Sequence, residues 1–338
     1  MNIGILGAGS WAIALSVLLS NRKHAVRMWE FNKKDALMLS EKREHPDKLP
    51  GIIIPNDVMI TNDISEAVEN AECILCVVPS QTMRSTLKLL VSSVDKSSLS
   101  KVSGWIVASK GIECGTLKLM TEVLIEEIPG LTEDKVLVLS GPSHAEEVSR
   151  GIPTTVVAAS KNLSLAIKIQ EEFSNETFRI YTNTDVSGVE LAASVKNVIA
   201  LAAGISDGLG LGDNTKGALL TRGMVEIIRL GKKMGTQEET FFGLAGMGDL
   251  ITTCISRHSR NRKMGELIAS GLSLTDALGK MVMVAEGVET TKSVYQLAEK
   301  FKIEMPITVE VYNVLFNGAP AKLAIKNLMM RQFRPERW

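Results

Sequence analysis

Cysteine is scarce. Four residues in 338 (Cys73, Cys76, Cys114 and Cys254) are too few and too scattered for a disulfide framework. Cys73 and Cys76 form a C-x-x-C, but inside the apolar run Cys73–Val78, which reads as a buried strand and not as the turn or helix start where a redox or zinc pair works. With no second pair to complete a metal shell, no metal is expected, and a reducing, cytoplasmic setting fits. Excess charge is missing too. Lys plus Arg and Asp plus Glu each number 38, so no global field draws the chain to nucleic acid or anionic lipid, although a local anion site remains open. No apolar run reaches the ~18 residues that span a bilayer, and the first residues lack the charged stretch of a signal peptide. The expectation is a soluble protein with no integral membrane segment.

What is present is apolar material for real cores: 45% hydrophobic against 22% charged residues. The length exceeds a typical domain of ~100–200 residues, which predicts two domains. The chain opens on the apolar Ile3–Leu6, then Gly7-Ala-Gly-Ser-Trp-Ala12, a helical run, and a second strand Ala25–Trp29 ending at Glu30. This is a β-turn-α-β unit of dinucleotide-binding size. Gly7 permits the tight turn, Gly9 lets a pyrophosphate approach the backbone, and Ala12 is small enough for close helix–strand packing. The helix N-terminus offers amides to phosphate, and Glu30 is spaced to accept hydrogen bonds from the adenosine ribose.

Strand-like runs at Cys73–Val78, Gly104–Ala108, Val136–Leu139 and Pro153–Ala159 alternate with helical ones, and Phe178–Tyr181 reads as an edge strand. The expected architecture is a Rossmann-type α/β domain over 1–186, its parallel sheet doubly wound, followed by an all-α domain over 187–338. Ligands sit beyond the carboxyl ends of such strands. The junctions Pro79-Ser80, Ser109-Lys-Gly111 and Ser140-Gly-Pro-Ser143 should therefore meet in one crevice. His144 reads as a satisfied polar group at a helix start.

From about Asp185 the period becomes 3.6, with helices expected over 186–206, 215–235, 259–270, 286–301 and 306–328. On the first of these, Lys196 shares a face with Val189, Ala192, Ala193, Ala200 and Ala203. A lone cation on a stripe of small apolar side chains is either a snorkelling lysine or one desolvated enough to act as a base. Asp249, after the glycines of Gly243–Gly248, is a candidate helix N-cap that could also have a site role. Ser259 is a candidate N-cap, and Arg260, Arg262 and Lys263 place cations at a helix start, where they oppose the dipole unless an anion binds. The cluster is short and has no neighbouring aromatics for base stacking, which favours phosphate over nucleic acid.

Taken together, Gly7-Ala-Gly-Ser-Trp11, Val78-Pro-Ser80, Ser109-Lys-Gly-Ile-Glu113, Ser140-Gly-Pro-Ser143, Lys196-Asn197, Gly243–Leu250, Ser259-Arg-Asn-Arg262 and Glu286-Gly-Val288 resemble the ordered motifs of the NAD(P)-dependent glycerol-3-phosphate dehydrogenases of bacterial type. The resemblance runs to about residue 290. It implies interconversion of sn-glycerol 3-phosphate and dihydroxyacetone phosphate, supplying phospholipid backbones, by a homodimer whose partner is a small phosphorylated substrate. By matching position, Lys196 would be the proton acceptor. Ser10, Trp11, Ala145, Val284 and Glu286 would contact the cofactor, and Lys110 and Arg260 both cofactor and substrate. Gly141, Ser143, Asp249, Ser259 and Asn261 would line the substrate site. Many bacterial relatives carry Gly-Arg where this chain has Glu30-Phe31. An acid there repels a 2′-phosphate, so NAD(H) is favoured and NADP(H) possible, with Lys33 and Lys34 as nearby cations. The rival readings are a two-domain hydroxyacid dehydrogenase and a non-catalytic dinucleotide sensor.

Overall fold

A computed structural model describes residues 1–336. Arg337 and the terminal Trp338, part of the arginine-rich tail, lie outside the described residues.

Eight strands form one sheet in the order β3-β2-β1-β4-β5-β6-β7-β8. They are β1 Asn2–Leu6, β2 Ala25–Trp29, β3 Met59–Thr61, β4 Cys73–Cys76, β5 Gly104–Val107, β6 Val136–Ser140, β7 Thr154–Ala159 and β8 Phe178–Asn183. Successive side chains of β4 show why these runs are continuously apolar: Cys73 and Leu75 join the core on one face, Ile74 and Cys76 the core on the other. The two thiols thus point to opposite faces and cannot act as a pair. Burial pushes them up to about 11 and about 12.

The sheet is not wholly parallel as expected, because β7 runs antiparallel to β6. A parallel return needs a crossover of a dozen or more residues, usually helical. The helix Leu163–Phe173 supplies one between β7 and β8, which pair in parallel. The link 141–153 carries only the four-residue helix Ala145–Val148, so the chain turns straight back. That link therefore stays at the carboxyl edge of the sheet. The three-residue edge strand β3 was too short to leave an alternating pattern, whereas β8 is the edge strand the sequence predicts.

The Val186–Gly208 helix is buried along nearly its whole length. By length and composition it is apolar enough to cross a membrane, contrary to the expectation from the sequence, but neighbouring elements of the fold bury 94% of that window. One of its three glycines, Gly204, sets how closely a second helix approaches. A Cβ on Gly204 would strike the Arg262 backbone, and one on Gly265 would strike the carbonyl of Leu201, so this helix and the Arg260–Ala269 helix cross in backbone contact. That crossing fixes the start of the second helix beside Lys196.

The expected helix over 306–328 is two, Pro306–Phe316 and Ala321–Met329, separated at Gly318 (φ +66°) and Pro320. Short helices at 238–241, 249–255 and 274–279 are too brief to show a period. Two buried carboxylates tie elements together. Glu190 on the Val186–Gly208 helix accepts from Thr121 N (3.0 Å) and Thr121 Oγ1 (2.6 Å) at the start of the Met120–Glu127 helix. Glu226 likewise accepts from Ile307 N (2.6 Å) and Thr308 N (3.1 Å) at the start of the Pro306–Phe316 helix.

Candidate active site

A cleft of about 790 Å³ opens beyond the carboxyl ends of β1, β2, β4 and β5, and the Lys196 helix and the start of the Arg260 helix also line it. At its nucleotide end, Gly7 adopts φ +113° and its amide donates to the Trp29 carbonyl at 3.0 Å. A Cβ there would press on the Val77 carbonyl at 3.0 Å, while a Cβ on Gly9 would meet nothing within 4 Å. That open space is the approach a pyrophosphate needs. No side chain caps the Ser10–Asn21 helix, so its first amides keep their hydrogen-bonding capacity. Ser10 and Trp11 line the same wall.

Glu30 is buried, and its Oε1 accepts from Asn32 N at 2.9 Å. Phe31 is 75% exposed and meets Trp29 edge-on, ring centroids 6.1 Å apart. The residues fit a dinucleotide. Lys33 and Lys34, the cations flagged from the sequence, are exposed on the next helix and line no part of the cleft. The cation actually placed there is Lys48, from the loop before β3, with Nζ 3.6 Å from Glu30 Oε2.

Deeper in, Lys196 is only 4% exposed. Its Nζ donates to Asp249 Oδ1 at 2.6 Å and to Thr253 Oγ1 at 2.5 Å. Asp249 Oδ2 accepts from Lys110 Nζ at 2.8 Å, and Lys110 also donates to the Gly141 carbonyl at 3.2 Å. One carboxylate therefore sits between two ammoniums. Burial lowers Lys196 to about 8, with Lys110 adding to the effect and Asp249 opposing it. For Asp249 burial favours the neutral acid, but the two lysines outweigh it and hold the carboxyl below its ordinary range. Ser194 Oγ, two residues before Lys196, donates to the Gly111 carbonyl at 3.2 Å and fastens the helix to the loop carrying Lys110.

At the third corner Ser259 caps its helix as predicted, accepting from Arg262 N at 3.2 Å. Asn261 donates to Asn197 Oδ1 and accepts from Gly287 N, both at 2.9 Å. The helix-start cations divide. Arg262 pairs with Asp207 (2.6 Å) and Glu266 (3.1 Å), and Lys263 with Glu266 (3.4 Å), so neither needs an external anion. Arg260 faces the cleft with no ion pair among the described residues.

Several expectations need correction. Gly141 does not line the cleft. With φ +151° and Val156 Cα 2.8 Å from where a Cβ would stand, it turns its carbonyl to Lys110 and to Ser143 Oγ (3.0 Å). Asp249 makes no helix cap, since a π-helical turn over Leu244–Gly248 precedes it and its carboxylate faces the lysines. His144 is not satisfied: its buried Nε2 has no partner among the described residues, and its ring lies 5.9 Å from that of His258. Burial, then Lys196, lower its pKa.

Ser143, Ala145, Val284 and Glu286 all line the cleft. Glu286 also reaches across to Pro79-Ser80, accepting from Ser80 N at 3.0 Å and from Ser80 Oγ. Sequence reasoning missed Ser80 as its partner, although it quoted the Val78-Pro-Ser80 junction. It missed Thr253 as well, whose signal was its place one helical turn after Asp249.

Residues 2–166 match the family described as NAD-dependent glycerol-3-phosphate dehydrogenase N-terminus, and residues 185–326 the corresponding C-terminus. A glycerol-3-phosphate dehydrogenase (NAD(P)+) of Pelodictyon phaeoclathratiforme is 49% identical over the full length of both chains. One from Bacillus mycoides is 49% identical over 97% of this chain and 95% of its own. The crystal structure of a glycerol-3-phosphate dehydrogenase from Coxiella burnetii superposes with a TM-score of 0.92 at 35% identity, covering 98% of this chain and 99% of that one. The chain belongs to the NAD-dependent glycerol-3-phosphate dehydrogenase family.

Proposed function

We propose that this protein interconverts sn-glycerol 3-phosphate and dihydroxyacetone phosphate with a nicotinamide dinucleotide, supplying backbones for glycerophospholipids. The observation that carries the reading is the Lys196–Asp249–Lys110 triad, in which the buried Lys196–Asp249 pair meets the half-buried Lys110. It lies in one cleft between the Gly7–Glu30 nucleotide unit and Arg260. In this reading residues 1–186 hold the dinucleotide and 187–338 supply the catalytic and phosphate-binding groups, in a cytoplasmic homodimer. In the same reading Glu30 accepts from the ribose diol and favours NAD(H).

Bound in the cleft, the nicotinamide supplies the hydride acceptor or donor. The protein's own residues handle the proton and the phosphate. A neutral Lys196 takes the proton of the secondary hydroxyl as general base, and in the other direction its ammonium protonates the forming alkoxide. Its depressed pKa makes both forms accessible near neutral pH. Asp249 and Thr253 fix the amine's direction, and Lys110 places a second positive charge where oxygen charge develops. Arg260 and the first-turn amides of its helix hold the phosphate, whose binding energy positions the reacting carbon.

The test is oxidation of NADH and of NADPH at 340 nm with dihydroxyacetone phosphate. The reading predicts rapid turnover with it and little with a carboxylate analogue such as an α-keto acid. The reverse preference would make the protein a hydroxyacid dehydrogenase, and binding of cofactor without turnover of either would make it a sensor.

A further inference from the structure

A short turn before β3 carries Lys48 to the cleft. His45 Nδ1 accepts from Asp47 N (3.3 Å) and Lys48 N (3.2 Å), closing a turn between Pro46 and Pro50 that fixes where the lysine stem leaves the backbone. The ammonium lies 3.6 Å from Glu30 and 3.9 Å from Asp35, and makes no hydrogen bond among the described residues. It is held near two carboxylates by charge while its donors stay uncommitted. Glu30, by contrast, is anchored by Asn32 N. The adenosine end of the cleft thus presents a fixed acceptor beside a cation with uncommitted donors, with exposed Phe31 alongside.

We propose that Lys48 is a second determinant of cofactor choice: it swings from Glu30 to the 2′-phosphate of NADP(H), so that one pocket serves both dinucleotides. This rests on the dinucleotide reading above. With NAD(H), Glu30 accepts from the ribose diol and Lys48 offsets its charge. With NADP(H), an unaccompanied Glu30 would repel the phosphate dianion, and Lys48 supplies the compensating charge and donors. Lys33 and Lys34, exposed at the start of the next helix, line no part of the cleft.

The experiment titrates wild type, Lys48→Met and Lys48→Arg with NADPH and with NADH, following fluorescence of Trp11 and Trp29. Met keeps the apolar stem and removes the charge. The proposal predicts that the ratio Kd(NADPH)/Kd(NADH) rises about tenfold or more in Lys48→Met, as expected for loss of one charge-assisted contact. It also predicts that Lys48→Arg restores the ratio and that the salt dependence of NADPH binding weakens in Lys48→Met. A ratio that does not rise, or one that Arg fails to restore, overturns it. Because binding is read directly, the result stands whatever the substrate. If wild type binds neither dinucleotide, the underlying reading fails and the proposal with it.

Discussion

Lys196 was legible before any coordinates because a surface helix would have surrounded it with other charges and a core helix would have had no lysine. Its structure matches that logic: 4% exposed, with Asp249 and Thr253 as partners. Arg260 was only partly legible. The sequence grouped it with Arg262 and Lys263, and only the fold shows that Asp207 and Glu266 already neutralise those two. Arg260→Ala should therefore weaken phosphate-dependent binding, raising KM for dihydroxyacetone phosphate by ~10-fold or more as a charge-assisted contact is lost. Arg262→Ala should act mainly on stability. Equal KM values for the two variants would place the phosphate elsewhere. Lys48 left no sequence signal, and the Pro79-Ser80 junction gave no hint of Ser80's partner, because each acts through a residue that only tertiary folding brings near: Glu30, 18 positions earlier, and Glu286, 206 positions later.

At the scale of elements, hydrophobic periodicity marked seven of the strands and the long helices because both sheet faces and the central helix are covered by apolar neighbours. It failed where that signal is weak: the three-residue β3, the antiparallel turn into β7, and the break at Gly318 and Pro320. It also could not show that two helices touch backbone to backbone at Gly204 and Gly265. A methyl group there has no soft neighbour to displace. Gly204→Ala should destabilise the fold by ~1–3 kcal/mol and lower substrate affinity together, since separating the helices moves Arg260 and Asn261 away from Lys196. Urea unfolding and KM measured on the same preparation check this. A Gly204→Ala protein with wild-type stability would contradict the close crossing.

For the whole molecule, the buried ionisable groups pull the pH dependence of stability in both directions. Burial raises Glu190 and Glu226 to about 7 from 4.5. Between those values the native state binds more protons than the unfolded chain, so their contribution to stability is present at low pH and lost as pH rises toward 7. His45 and His144, lowered by burial, push the other way. The clean observable is thus a difference: between pH 5.5 and 7.5 wild type should lose more stability, or gain less, than Glu190→Gln. Identical pH slopes would show that Glu190 ionises without penalty. Lys196 has the converse sign. Lowered from 10.5 to about 8, it binds fewer protons when folded, so its contribution to stability grows as pH rises through that window. The neutral amine needed for alcohol oxidation accumulates over the same range. The most direct measurement is the pH profile of kcat for sn-glycerol 3-phosphate oxidation in wild type and Lys196→Ala. The account predicts a wild-type rise through about pH 8, and a variant slower by ~10²–10⁴-fold in which that ionisation is absent. A Lys196→Ala enzyme that kept near-normal turnover with the same pH profile would contradict it.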